Sequence, residues 1–132
     1  PQHADLLADY ADALTHCGDL KLALEKIQRA MALNPLAPDY YYWVGGGTFY
    51  YLKRYAEAIA FLEQMKNPRA AARLLAGCYA MLGERKKADE YRLYAMQDNP
   101  NFRVDEWISS MSLKVPEHRE MYKNSLREAG FQ

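Results

Sequence analysis

The chain has 132 residues, half of them hydrophobic and 26% charged, with 17 basic and 17 acidic side chains. That length fits one ordinary domain, able to bury about two thirds of its unfolded surface without disulfide or metal staples. Zero net charge argues against a nucleic-acid partner, because neutralising phosphates takes a surplus of Lys and Arg; no apolar run reaches the roughly 20 residues of a membrane helix, and no signal peptide opens the sequence.

The chain begins at Pro1, without Met and already inside a helical pattern, which reads as a piece cut from a longer protein. Leu6, Leu7, Tyr10 and Leu14 follow at helical spacing and predict one buried face. Gly18-Asp19 breaks the pattern and offers a cap for a second helix carrying Leu20, Ala23, Leu24, Ile27, Ala30 and Met31. Asn34-Pro35 closes it. Cys17 and Cys78 sit in helical contexts rich in Ala and Leu, where two reduced, partly buried thiols and a cytoplasmic setting are expected.

The second unit reads DYYYWVGGGTFYYLKRYAEAIAFL from Asp39 to Leu62, and Asn67-Pro68 cuts it short. In the third, Leu74, Leu75, Cys78, Tyr79 and Leu82 form one helix face. Gly83-Glu84 is its turn, and Ala88, Tyr91, Ala95 and Met96 carry the next helix to Asn99-Pro100. Glu84-Arg85-Lys86-Lys87 is a solvated helix start. Ala23, Ala58 and Ala88 open the second helix of each unit, 35 and 30 residues apart. No segment alternates as a strand does, so the predicted class is all-α.

A small residue on the first helix, an aromatic or Leu three residues later, a glycine turn, paired alanines and a closing proline resemble the tetratricopeptide repeat. The first unit supplies Leu7, Tyr10, Ala11, Leu14, Gly18, Ala23, Ile27, Ala30 and Pro35; the second Tyr42, Gly46, Phe49, Tyr55, Ala58 and Leu62; the third Leu75, Ala76, Tyr79, Gly83, Ala88, Ala95 and Pro100. The resemblance implies a right-handed α-solenoid of three helix-turn-helix repeats over residues 1–100 (about 4–37, 38–68 and 69–100), with capping helices over 101–132. The sequence departs from the pattern at Gly45, Lys53 and Arg92, where a large apolar residue, a turn glycine and a buried apolar residue are usual.

Three glycines inside a helix break a local rule, since each costs about 1 kcal/mol against alanine. Gly46 stands where helices of this repeat cross. Gly45 leaves room for an aromatic ring such as Tyr10 or Tyr79. Gly47, like Gly77, is placed on the inner, concave face, where bare backbone admits a ligand. A phosphate loop is excluded by the lack of a following Lys-Ser/Thr and a preceding strand.

No catalytic constellation appears. His16-Cys17 with Cys78 lacks a fourth ligand for zinc, and Asp9/Asp12 reads as a solvated helix face, so neither metal nor cofactor is expected. The unusual feature is aromatic. Helix geometry turns Tyr42 and Phe49 toward the partner helix, and Tyr40, Trp43, Gly47, Tyr50 and Tyr51 toward the groove. Asp12, Thr15 and His16 from the first unit, and Arg73, Ala80 and Met81 from the third, flank them. Tyr, Trp, Met and Arg are the residues of binding hot spots. Two outcomes stay open: a groove that takes a partner, or a surface buried by the chain's own last helices.

The chaperone-binding members of the resembled family grip a terminal carboxylate with Lys and Asn; Ala8 and Asp12 stand at the first such places here, so that clamp is missing. In the tail, Asn101 offers a cap for a short helix through Trp107 and Ile108. Pro116 suits the first turn of a last helix whose stripe is His118, Met121, Tyr122, Leu126 and Ala129, and Gly130-Phe131 closes it. Asn99, Pro100, Phe102, Trp107, Pro116, Tyr122, Leu126, Arg127, Ala129 and Gly130 are similar to the C-terminal ends of bacterial multidomain proteins such as class III adenylate/guanylate cyclases with tetratricopeptide repeats.

The sequence therefore predicts a non-catalytic protein–protein interaction module. Its sites are Asp12, His16, Tyr40, Trp43, Gly47, Tyr50, Tyr51, Arg73 and Met81. Its partner is a peptide or helix of another protein, a second copy, or another domain of the parent chain. The alternative is a regulatory or dimerising appendage of a cyclase-like enzyme.

Overall fold

The computed structural model describes residues 2–132. Among them are eight α-helices and no strand: α1 Gln2–Cys17, α2 Leu20–Leu33, α3 Asp39–Tyr51, α4 Tyr55–Leu62, α5 Ala72–Met81, α6 Arg85–Asp98, α7 Val104–Ser110 and α8 Pro116–Glu128. A short 3-10 helix, Pro68–Ala71, precedes α5. The chain divides into two compact units, the first ending at Lys66 and the second beginning at Asn67.

In the first unit α1 packs on α2, α3 on α4, and α3 also lies against α1 and α2. The buried face of α1 is Ala4, Ala8, Ala11 and Thr15. This corrects the expected stripe: Leu6 and Tyr10 are exposed, and Leu7 only flanks the core. Small side chains let α2 and α3 approach α1 closely, and the core there is completed by Ile27, Ala30, Tyr41 and Val44. Leucine at those contacts would hold the helices apart. The stripe expected on α2 is the one found, with Ala23, Ile27 and Ala30 fully buried.

The glycine triplet divides in two. A Cβ on Gly45 would meet the Phe61 ring at 2.5 Å, and one on Gly46 would meet Leu62 at 2.5 Å. These two glycines let α4 lie directly on α3. Phe61 fills the space over Gly45, rather than Tyr10 or Tyr79, and packs edge-on against Phe49 and Tyr42. Nothing lies within 4 Å of a Cβ placed on Gly47.

Helices α1, α3, α5 and α8 end in the same turn. After each, a residue with left-handed backbone carries the chain away: Gly18 (φ 89), Lys53 (φ 61), Gly83 (φ 76) and Gly130 (φ 101). The next N–H returns to a carbonyl five residues back: Asp19 to Leu14, Arg54 to Phe49, Glu84 to Tyr79 and Phe131 to Leu126. This is the Schellman arrangement, and it satisfies carbonyls that a helix end otherwise leaves unpaired. Lys53 makes the turn that a glycine makes elsewhere, at the steric cost of a Cβ in that conformation.

In the second unit α5 packs on α6 and α8, and α7 on α8. Tyr79 and Tyr91 stack face to face, 5.8 Å between centroids. Helix α7 starts at Val104, with Arg103 at its N-cap, so Asn101 does not cap it. Pro116 opens α8 as expected. Phe102, Val104, Leu113, Tyr122, Leu126, Ala129 and Phe131 bury the tail. Arg85 donates to the Glu128 carbonyl at the last turn of α8, where the helix dipole is negative. The side chain of Arg92 lies against Gly130, where a Cβ would stand 3.0 Å from its Nε. The half-buried Arg92 thus packs on the tail instead of the apolar contact expected at that position.

Candidate functional site

The residues expected to bind a partner fall in both units, and each group is described within its own unit. On α3, Tyr40 and Trp43 are 38% and 39% exposed, whereas Tyr50 is fully buried and Tyr51 nearly so. Tyr50 packs edge-on against Tyr51 at 5.0 Å and tilted against Tyr55 at 5.8 Å. The last turn of α3 is therefore core, and Tyr50 and Tyr51 present no open surface in this structure. Helical spacing placed them on the same side as Trp43, but coverage by neighbouring rings decides exposure. What stays open is Tyr40, Trp43 and the bare backbone of half-buried Gly47.

Helix α1 supplies carboxylates to the tyrosines at the start of α3. The Tyr40 hydroxyl donates to Asp9 Oδ1 at 2.7 Å, and the buried Tyr41 hydroxyl donates to Asp5 Oδ1. The His16 Nδ1 lies 2.8 Å from the Asp12 main-chain carbonyl and 3.5 Å from the Asp12 carboxylate. Asp5, Asp9, Asp12 and His16 follow one ridge of α1, at spacings of three and four residues. A hollow of about 320 Å³ opens beside Gln2, Asp5, Leu6 and Asp9.

The field on this ridge is negative. Burial holds the Tyr40 hydroxyl well above the ordinary phenol value, and the bond to Asp9 and the charges of Asp12, Asp9 and Asp5 push it the same way. Burial also raises the Asp12 carboxyl; His16 opposes that shift and the neighbouring Asp9 charge adds to it. Among the described residues neither Asp5 nor Asp9 has an ion-pair partner. Asp5, Asp9 and Tyr41 belong to this arrangement and were not among the expected site residues. The signal available in the sequence was the lack of any Lys or Arg in α1 and α3, against four aspartates, Asp5, Asp9, Asp12 and Asp39.

In the second unit, Arg73 does not stand free as a guide for a partner. Its guanidinium lies over the rings of Phe102 at 4.4 Å and Trp107 at 4.8 Å. One turn on, a Cβ placed on Gly77 would be 3.4 Å from the Ser125 hydroxyl of α8. The α5 face expected to line a groove therefore carries the tail. Met81, at the end of that helix, is 42% exposed. Both thiols are free; Cys78 is buried, and Cys17 is exposed where partial burial was expected.

Among the described residues no group of three or more His, Cys, Asp or Glu side chains is arranged to hold a metal ion. No helix among them is long and apolar enough to cross a membrane. No family model, curated protein or solved structure compared with the chain matches it.

Proposed function

We propose that the chain is a solenoid of tetratricopeptide type and acts as a non-catalytic module that binds a peptide or helix of a partner protein. The repeat reading is supported by three successive helical hairpins with one turn geometry. Their left-handed residues, Gly18, Lys53 and Gly83, recur 35 and 30 residues apart, and a fully buried alanine follows five residues after each. In this reading the repeats occupy residues 1–100 and helices α7 and α8 cap them. The two free cysteines suit a reducing, cytoplasmic setting.

The observation that carries the binding reading is the pair of exposed rings, Tyr40 and Trp43, beside the uncovered backbone of Gly47 on one helix. Aromatic side chains bring large contact area at small entropic cost, and a helix with no side chain at one position admits a ligand to its backbone. Display of a random peptide library on the purified protein is the test. Enrichment of peptides that bind wild type but lose about tenfold or more with Trp43→Ala supports the module. An unselected library, or equal binding by the variant, overturns it. The appendage reading draws on the tail pattern, and most of that pattern is engaged in packing: Phe102, Trp107, Tyr122, Leu126, Ala129 and Gly130 build the tail core and its final turn.

A further inference from the structure

The face of α1 and α3 that carries Tyr40 and Trp43 also states what charge it prefers. The protein as a whole is neutral, with 17 residues of each sign. Locally the balance fails: the two helices hold four aspartates and no Lys or Arg. Asp5 and Asp9 are exposed, and each accepts a hydrogen bond from a tyrosine hydroxyl, which fixes its orientation without neutralising its charge. The hollow beside them is walled by Gln2, Asp5, Leu6 and Asp9, so an apolar stem and a cationic head would both find complementary surface there. Exposed tyrosine and tryptophan faces attract cations through the ring quadrupole, and at Tyr40 the Asp9 carboxylate bonded to its hydroxyl adds to that attraction. A second copy of this chain is a poorer occupant, because a two-fold contact through this face would bring like charges together.

We propose that this face binds a basic peptide segment of a partner protein, with Lys or Arg side chains seated between Asp5, Asp9 and the rings of Tyr40 and Trp43. The inference rests on the binding-module reading and names its partner's chemistry. Aspartates held by hydroxyl donors suit an arginine fork, which can pair with a carboxylate and lie on a ring at once.

The test uses three fluorescein-labelled peptide pools of one length and random sequence, in which alternate positions are fixed as Arg, Gln or Glu. Anisotropy is measured against wild type, Asp5→Asn/Asp9→Asn and Trp43→Ala, with circular dichroism to verify that each variant is folded. Asn keeps the acceptor for the tyrosine hydroxyls and removes only the charge. The Arg pool should bind about tenfold tighter than the Gln pool, the combined effect of two exposed ion pairs and one cation–ring contact. The preference should vanish in the double Asn variant, and shrink in high salt because exposed charges are screened. Equal, Trp43-dependent binding of the Gln and Arg pools overturns the basic partner and leaves the module standing. Absence of Trp43-dependent binding in every pool overturns both. Light scattering that finds a dimer abolished by Trp43→Ala overturns the basic partner in favour of a second copy.

Discussion

The hydroxyls of Thr15 and Thr48 lie 2.8 Å apart in the buried seam between α1 and α3. Each also sits within reach of the carbonyl four residues back in its own helix, Ala11 for Thr15 at 2.9 Å and Val44 for Thr48 at 2.8 Å. Each hydroxyl has one proton, so one threonine donates across the seam while the other donates along its helix. Thr48→Val should cost about 1–2 kcal/mol, because it strands a buried oxygen. The double change Thr15→Val/Thr48→Val should cost less than the sum of the two single changes, since nothing polar is then left behind. Urea denaturation of the four proteins forms the cycle.

The glycine triplet makes a sharper prediction at three adjacent positions. Gly46→Ala should destabilise by about 1–3 kcal/mol, because its Cβ meets Leu62, which is fully buried and has nowhere to go. Gly45→Ala should cost less, because the Phe61 ring is only half-buried and can swing. Gly47→Ala should stabilise by up to about 1 kcal/mol through helix propensity alone. Midpoints of thermal unfolding rank the three. If Gly47→Ala also weakens peptide binding, the backbone of that turn is part of the contact.

Lys53→Gly should raise stability by about 0.5–1 kcal/mol. The left-handed conformation costs a residue with a Cβ about 1–2 kcal/mol, and the greater freedom of glycine in the unfolded chain takes back part of that. Lys53→Val should lower stability, since a branched Cβ is worse placed still. Chemical denaturation distinguishes the two.

Native protein should react with iodoacetamide at a single thiol. Cys17 is exposed, whereas burial pushes the Cys78 thiol up to about 12 and keeps it protonated. Mass spectrometry should find the second adduct only after unfolding. Labelling of Cys78 under native conditions would mean that the contact of α5 with its neighbours opens readily.

The hairpins were legible because their punctuation is local. A glycine takes the left-handed turn at residues 18, 83 and 130, and Pro116 has the fixed φ that suits a first helical turn. What was not legible depended on coverage. Periodicity gave Leu6, Leu7, Tyr10 and Leu14 as the inner face of α1, but two of them are exposed, because alanines on the adjacent stripe allow the closer approach. Periodicity likewise set Tyr50 and Tyr51 beside Trp43, yet both are buried while Trp43 is exposed. Arg73 looked free until the tail laid Phe102 and Trp107 beneath it. Helix geometry fixes which residues share a face; which face meets solvent depends on segments far away in the chain.

The last thirty residues are fastened at their two ends. The Val104 N–H bonds the Gln132 carbonyl, and Arg85 holds the carbonyl of Glu128. Between them the amides of Ser112, Leu113 and Lys114 make no backbone hydrogen bond among the described residues, and the Arg119 side chain donates to the carbonyls of Met111 and Leu113. In deuterated solvent the usual gradient, fastest at the terminus, should therefore be inverted: Phe131 should keep its proton long after Ser112 has exchanged. A protease that cuts within the tail of the folded protein should do so near Ser112 and leave α8 seated after the nick.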